Sequence, residues 1–365
     1  MIDHLNITPL SEWEEYNGRP FMIAGPCSAE SEQQVMETAL ELKALGKVDV
    51  FRAGIWKPRT RPNSFEGVGS KGLPWMRKVK QETGLPITVE VANAKHVYEA
   101  LKFGIDMLWI GARTSANPFA VQEIADALKG ADISVLIKNP VNPDLDLWIG
   151  AMERIHQAGI KKIGMIHRGF STYEKIKYRN LPQWQIPIEL KSRLSEIPLL
   201  VDPSHISGRA DLVFDVSQKA MDLNFDGLMV ETHINPKVAL SDAKQQVTPA
   251  ELGQIIDELV LRDPKPHNNS ELNILGDLRQ KIDWIDDQLL DLFEQRMEIV
   301  KHIGEYKKQN NISVLQNSRW EEIIYSSIEK GSKKGLSREF INNAFKAIHQ
   351  ESINHQMEIL NGKKV

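Results

Sequence analysis

Short apolar runs rich in β-formers recur along the first two-thirds of the chain, at Phe21 to Pro26, Val48 to Gly54, Pro86 to Val91, Met107 to Ala112, Ser134 to Asn139, Lys162 to His167, Pro198 to Pro203 and Gly227 to Thr232. Between them the apolar residues take the three-four spacing of helices, as in Glu32 to Leu45, Ala94 to Phe103, Phe119 to Leu128 and Leu147 to Ala158. Strand and helix therefore alternate. Eight such strands with crossover helices in about 250 residues have the size and order of a closed β/α barrel. An open doubly wound sheet alternates the same way, but the strand count favours the barrel.

From Arg262 to Ser270 the text RDPKPHNNS loses all apolar periodicity and reads as a linker. The barrel domain is then expected over 1–262, the linker over 263–270 and a second domain over 271–365. In the second domain Leu275, Leu278, Ile282, Ile285, Leu289 and Leu292 follow three-four spacing, which resumes at Ile299 and Ile303 after Arg296 interrupts it. This predicts a helix of some thirty residues. Two further helices are expected at about Ser318 to Lys330 and Ser337 to Leu360, parted by the breaker GSKKG. The fold class is thus an α/β barrel followed by an all-α three-helix domain.

A length of 365 residues suits two domains, and 41% apolar with 26% charged residues is ordinary globular material. The net charge of -4 and the lack of long like-charge blocks argue against nucleic acid or acidic membranes as partners. The start MIDHLNITPLSEWEEY has acids where a signal peptide needs a basic, then apolar, run, so a cytoplasmic location is expected. Cys27 is the single cysteine; it excludes an intrachain disulfide and needs its own explanation.

In a β/α barrel the carboxyl ends of the strands hold the active site. Here they carry Cys27, then Arg52 with Lys57, Arg59 and Thr60, then Glu90, Arg113, Lys138, Arg168, Asp202 with His205, and Glu231 with Asp242. A thiolate (Cys27), an imidazole (His205) and two carboxylates (Glu231, Asp242) can ligate a divalent first-row metal and leave a position open for substrate oxygen. Singly, each has a plainer reading, as a small buried hydrophobe, a loop hydrogen-bonder or helix caps; together at strand ends they point to a metal centre. Arg52, Lys57, Arg113, Lys138 and Arg168 come from five strands and would repel one another at the barrel mouth unless anions neutralised them. Their geometry matches phosphate and carboxylate, so a small substrate carrying both is expected. At about 1.5–3 kcal/mol for each hydrogen bond to a charged group, a few contacts would hold it.

Read together, GPCSAE, KPRTRP, GART, IKNP, HRGF, DPSH, VETH and LSDAKQQ, over roughly Gly18 to Leu261, resemble 3-deoxy-D-arabino-heptulosonate 7-phosphate (DAHP) synthase. The resemblance implies condensation of phosphoenolpyruvate with erythrose 4-phosphate and release of phosphate. It implies one divalent ion of the Mn, Co, Fe or Zn type on Cys27, His205, Glu231 and Asp242, and phosphoenolpyruvate on Arg52, Lys57, Arg113, Lys138 and Arg168. Arg59, Thr60 and Arg61 would face the sugar phosphate, with Arg61 standing where many relatives have serine. Lys57 would manage a proton or the developing alkoxide, and Glu90 would help activate water. A related family makes an eight-carbon sugar from arabinose 5-phosphate but has an asparagine-containing motif in place of KPRT. A phosphate-binding scaffold with a structural metal is the non-enzymatic alternative.

On the long helix Arg296 and Lys307 are eleven residues apart, which returns within about 20° of the same face. Arg279 lies seventeen residues before Arg296, about 25 Å along the helix, too far to share a small ligand unless it serves a neighbouring subunit. Ser352 and Gln356 share a face of the last helix, and Arg319 opens the middle one. Arg279, Arg296, Lys307, Arg319, Ser352 and Gln356 together resemble the all-helical chorismate mutases. That resemblance implies an entwined homodimer with shared sites, chorismate as substrate, and Lys307 with Gln356 donating to the breaking ether bond. Gln316 and Trp320 depart from the family, whose members usually have acids there. The alternatives are a dimerisation module or a sensor that binds without turnover. Joining an early and a later activity of one pathway points to feedback, in which chorismate or prephenate on the helices inhibits the barrel; inhibition that survived deletion beyond Arg262 would end that idea.

Overall fold

Eight strands, β1 (Phe21–Gly25), β2 (Val50–Arg52), β3 (Ile87–Val91), β4 (Met107–Ile110), β5 (Ser134–Lys138), β6 (Ile163–His167), β7 (Leu199–Val201) and β8 (Gly227–Glu231), pair in parallel and in sequence order. β1 closes on β8, with Phe21 opposite Gly227 and Gly25 opposite Glu231. Each expected apolar run holds one strand, trimmed by one or two residues at one end or, for β2 and β7, at both. The computed structural model describes residues 5–57, 65–173, 177–263, 269–315 and 317–362. The chain divides into two compact units, Met1–Pro264 and Lys265–Val365.

The strands are buried along their whole length, because helices cover the outside and side chains fill the inside. Helix boundaries follow local chemistry: Ser31 caps Glu32–Leu45 by accepting from Gln34 N, and Gly46 ends it at φ 68°. Inside the barrel, Phe21, Ile23, Val50, Met107, Trp109, Leu136, Ile166, Leu200 and Met229 form one apolar cluster with Leu10 and Trp13 of the amino-terminal segment. Side chains alternate along a strand, so the next inward positions after Val50, Leu136, Ile166, Leu200 and Met229 are Arg52, Lys138, Arg168, Asp202 and Glu231. The barrel is therefore apolar in its lower layers and charged in its top one. Trp109 forms the floor between them: Arg52 Cζ lies 4.8 Å and Lys138 Nζ 5.9 Å from its ring centroid.

His167 at the end of β6 is wholly buried against Phe170 and Trp184, with ring centroids 5.7 and 5.2 Å away. Burial pushes its pKa down to about 3. Above pH ~6.5 it is neutral in both folded and unfolded chains; below that the unfolded chain takes a proton that the folded one refuses. Stability should therefore fall as pH drops from ~6.5 towards 3. At pH 5 the protein should have lost about 2 kcal/mol more than a His167→Phe variant, relative to pH 7.5. Parallel Tm–pH curves for the two proteins would contradict this.

The second unit consists of three helices, Asn269–Gln309, Asn317–Lys333 and Arg338–Asn361. The first reaches 41 residues rather than some thirty, and Gly304 within it is a packing position: a Cβ there would stand 3.0 Å from Ile359 Cδ1. The middle helix ends at Lys333, inside the expected breaker GSKKG, where Gly335 at φ 79° turns the chain; Gly331 itself packs closely, since a Cβ there would meet Ile341 Cδ1 at 2.6 Å. Among the described residues of this unit only Val300 and Ile341 are buried apolar side chains, while seam residues Leu278, Ile282 and Leu292 stay 50%, 56% and 58% exposed.

Candidate active sites

At the carboxyl end of the barrel a polar cleft of about 630 Å³, open to solvent, is walled by Arg52, Lys57, Glu90, Arg113, Lys138, Arg168, Arg179, His205 and Asp242. On its floor Cys27, Glu231 and Asp242 bring donor atoms within 4.8 Å of one another. Cys27 Sγ lies 3.3 Å from Asp242 Oδ2. Glu231 is fully buried; Gln245 Nε2 donates to its Oε2 at 2.7 Å, and Arg52 Nη2 approaches Oε1 at 3.3 Å. His205 stands at the edge of this cluster, its Nε2 3.7 Å from Glu231 Oε1. A thiol, two carboxylates and an adjacent imidazole form the mixed donor set of an exchangeable first-row metal site, so these residues fit a divalent ion.

Charge supports that fit. Burial, reinforced by Glu231, pushes the Cys27 thiol up to about 12, so the thiolate forms only beside a strong cation. For Glu231 burial alone would raise the pKa, yet His205 and Arg52 hold it below the usual value. Burial is likewise outweighed at Asp242, which Arg179 and His205 keep far down. Lys57 donates to Cys27 O at 2.9 Å and to Cys27 Sγ at 3.2 Å. Its burial disfavours the charge, but Cys27, Glu90 and Glu231 raise its pKa, leaving an ammonium poised to give a proton rather than take one.

The cations are held from behind. Lys138 Nζ donates to the buried Asp202 Oδ2 at 2.6 Å. Arg168 Nη1 donates to Asn180 Oδ1 at 2.9 Å and to Gly169 O at 3.1 Å. Burial, with Arg179 and Arg113 nearby, lowers the Arg168 pKa to about 10, which leaves it charged and favours an anion beside it. Two donors of the buried Arg52, Nε and Nη1, have no partner among the described residues. Glu90 occupies space that only glycine leaves open, as a Cβ on Gly111 would meet its Oε1 at 2.0 Å.

In the helical unit a wider cleft of about 1110 Å³, open to solvent, is bordered by Arg296, Lys307, Arg319, Ser352 and Gln356. Arg296 Nη1 donates to Ser352 Oγ at 2.5 Å, and Lys307 Nζ to Val314 O at 2.7 Å. Burial lowers the pKa of Arg296 and of Lys307, so both would gain from an anionic guest. His349 stacks on Trp320 at 4.1 Å along one wall.

Residues 14–261 match the profile of the DAHP synthetase I family. The chain belongs to that family. The phospho-2-dehydro-3-deoxyheptonate aldolase of Thermotoga maritima is 35% identical over 243 residues, covering 67% of this chain and 70% of that protein. A 2-dehydro-3-deoxyphosphooctonate aldolase of Variovorax paradoxus is 28% identical, covering 69% and 93%. The crystal structure of the T. maritima DAHP synthase superposes with a TM-score of 0.58 at 34% identity, over 65% of this chain and 68% of that one. Behind the DAHP synthetase I barrel, residues 278–357 match chorismate mutase type II, so both enzyme domains are present in one chain.

The barrel residues singled out in the sequence meet at one cleft or its floor, except Asp202, buried behind Lys138, and Arg59, Thr60 and Arg61, which lie outside the described residues. In the mutase domain five of the six line one cleft, and the exposed Arg279 is not among them. Sequence reasoning missed Arg179, which donates to Asp242 Oδ1 at 3.0 Å and to Gln245 Oε1 at 2.6 Å. It missed Asn180 too, whose Nδ2 donates to His205 O at 2.6 Å. Both sit in a loop with no periodicity to flag them; the only signal was a cation–amide pair, Arg179 and Asn180, shortly after HRGF.

Proposed function

We propose that the barrel condenses phosphoenolpyruvate with erythrose 4-phosphate to give DAHP and inorganic phosphate, the first step of the shikimate pathway, and that the helical domain converts chorismate to prephenate. The observation that carries the first part is the convergence of Arg52, Lys57, Arg113, Lys138 and Arg168 beside the Cys27–Glu231–Asp242 cluster. The cations bind the carboxylate and phosphate of the enol substrate and fix its plane, so that its methylene carbon faces the aldehyde. Cys27, His205, Glu231 and Asp242 would hold a divalent ion, which when bound supplies Lewis-acid polarisation of the aldehyde oxygen. Lys57, kept charged by the acidic groups around it, protonates the oxygen that becomes a hydroxyl. Glu90, also in the cleft wall, orients the water that adds to the enol carbon before phosphate leaves.

In the mutase domain Arg296, Arg319 and Lys307 bind the two carboxylates, and Lys307 with Gln356 stabilises charge on the ether oxygen. A second copy covers the exposed seam around Leu278 and Ile282 and supplies Arg279.

Phosphate release from phosphoenolpyruvate should require erythrose 4-phosphate and be abolished by chelation, then restored by Mn²⁺. Release with arabinose 5-phosphate instead would favour the eight-carbon activity of the 2-dehydro-3-deoxyphosphooctonate aldolases. Release with neither sugar would defeat both, and release indifferent to chelator would remove the metal from the reading.

A further inference from the structure

We propose that Asp202 is the positioning residue that joins the metal half of the barrel site to its anion-binding half. It follows β7, is completely buried and caps the short helix Pro203–Ser207, where its Oδ1 accepts from His205 N at 3.0 Å. Its other oxygen, Oδ2, has two neighbours on opposite errands. Lys138 Nζ donates to it at 2.6 Å, and His205 Nδ1 stands 2.8 Å away. The ring N–H is not aimed squarely at that oxygen, yet Nδ1 has no other partner among the described residues.

The consequences follow from the chemistry of a shared oxygen. A carboxylate behind a ligating imidazole fixes the ring and raises the basicity of the far nitrogen; here that nitrogen, Nε2, faces Glu231. The same carboxylate keeps the Lys138 ammonium at the edge of the cleft above Trp109. An anion that draws Lys138 forward loosens its hold on Oδ2 and leaves more of that oxygen to His205. Anion binding and metal binding then strengthen each other through one atom, and by linkage the effect is reciprocal. Asn180 adds a parallel brace, since its side chain ties Arg168 to the His205 carbonyl, but it carries no charge and touches no ring nitrogen.

This inference rests on the reading of Cys27, His205, Glu231 and Asp242 as metal ligands. The test uses the full chain and two substitutions, Asp202→Asn and Asp202→Ser, both of which retain an acceptor for the helix cap. Mn²⁺ affinity is measured by electron paramagnetic resonance titration, with and without saturating phosphoenolpyruvate, and KM and kcat are measured separately. In the wild type phosphoenolpyruvate should tighten Mn²⁺ binding. Each folded variant should bind Mn²⁺ about 10–100-fold more weakly, the range for losing a carboxylate behind a ligand. Its KM for phosphoenolpyruvate should rise, and the tightening by phosphoenolpyruvate should shrink. Folded variants that bind Mn²⁺ within twofold of wild type, and differ only in Tm, would reduce Asp202 to a helix cap and overturn the proposal. A wild type that binds no Mn²⁺ would overturn the ligand reading itself, and the proposal with it.

Discussion

Cys27→Ala should bind Mn²⁺ two to three orders of magnitude more weakly than the wild type and lose metal-dependent phosphate release, while keeping its fold. A complete four-ligand zinc site contributes about 10–16 kcal/mol, so one ligand of four is worth roughly 3–4 kcal/mol, or a few hundredfold in affinity. Cys27 is the soft donor of the set and is wholly buried, so water cannot take its place without reorganising the floor of the cleft. The fold should tolerate the change, because removing one small buried atom costs on the order of 1 kcal/mol. Lys57 would lose its sulfur partner but keep Cys27 O at 2.9 Å, a backbone contact that alanine preserves. Calorimetric Mn²⁺ titration, a Tm and the phosphate assay together give the answer. Unchanged metal affinity in a folded variant would mean that the thiol is only a small hydrophobe under the site.

What made this centre legible in the sequence is the set of ligating and cationic residues at the strand ends, several of which the period of two within a strand turns inward. Once eight short apolar runs are set side by side, the residue two places beyond the last inward apolar one must rise into the cleft, as with Leu136 and Lys138, or Met229 and Glu231. The same rule cannot reach loops. Arg179 and Asn180 follow β6 by more than ten residues, and their places against Asp242 and His205 arise from backbone bonds to Ile206 and Ser207 that no spacing encodes. Asp202 was visible as a strand-end acid, but its two-sided contact was not, because it depends on the turn that brings His205 back over it. In the helical domain three-four spacing found the elements and the cationic face. It underestimated the first helix, which runs 41 residues rather than some thirty, but GSKKG does part the last two, with Lys333 ending one and Ser337 capping the next.

Gln356→Ala should lower kcat for chorismate by about 10²–10³ while leaving binding largely intact, the cost of removing one donor aimed at developing oxyanion charge. Gln356 is buried at the wall of the cleft; its Nε2 donates to Ser352 O at 3.2 Å and its Oε1 has no partner among the described residues. Turning the amide over gives up the bond to Ser352 O and presents Nε2 to the cleft as a donor. The two carboxylates of the substrate would still meet Arg296, Arg319 and Lys307, which explains why binding should survive. Arg279 offers an independent check on where the site lies. About 25 Å of helix separates it from Arg296, so Arg279→Ala can impair turnover only through the neighbouring subunit. In a two-fold dimer, mixing and reassociating Arg279→Ala with Gln356→Ala chains makes half the dimers mixed. Each mixed dimer has one doubly altered and one intact site, restoring about a quarter of wild-type activity. No restoration on mixing would confine each site to one chain. Undiminished turnover in Gln356→Ala would remove its catalytic role, and chorismate binding without turnover in the wild type would make the domain a sensor.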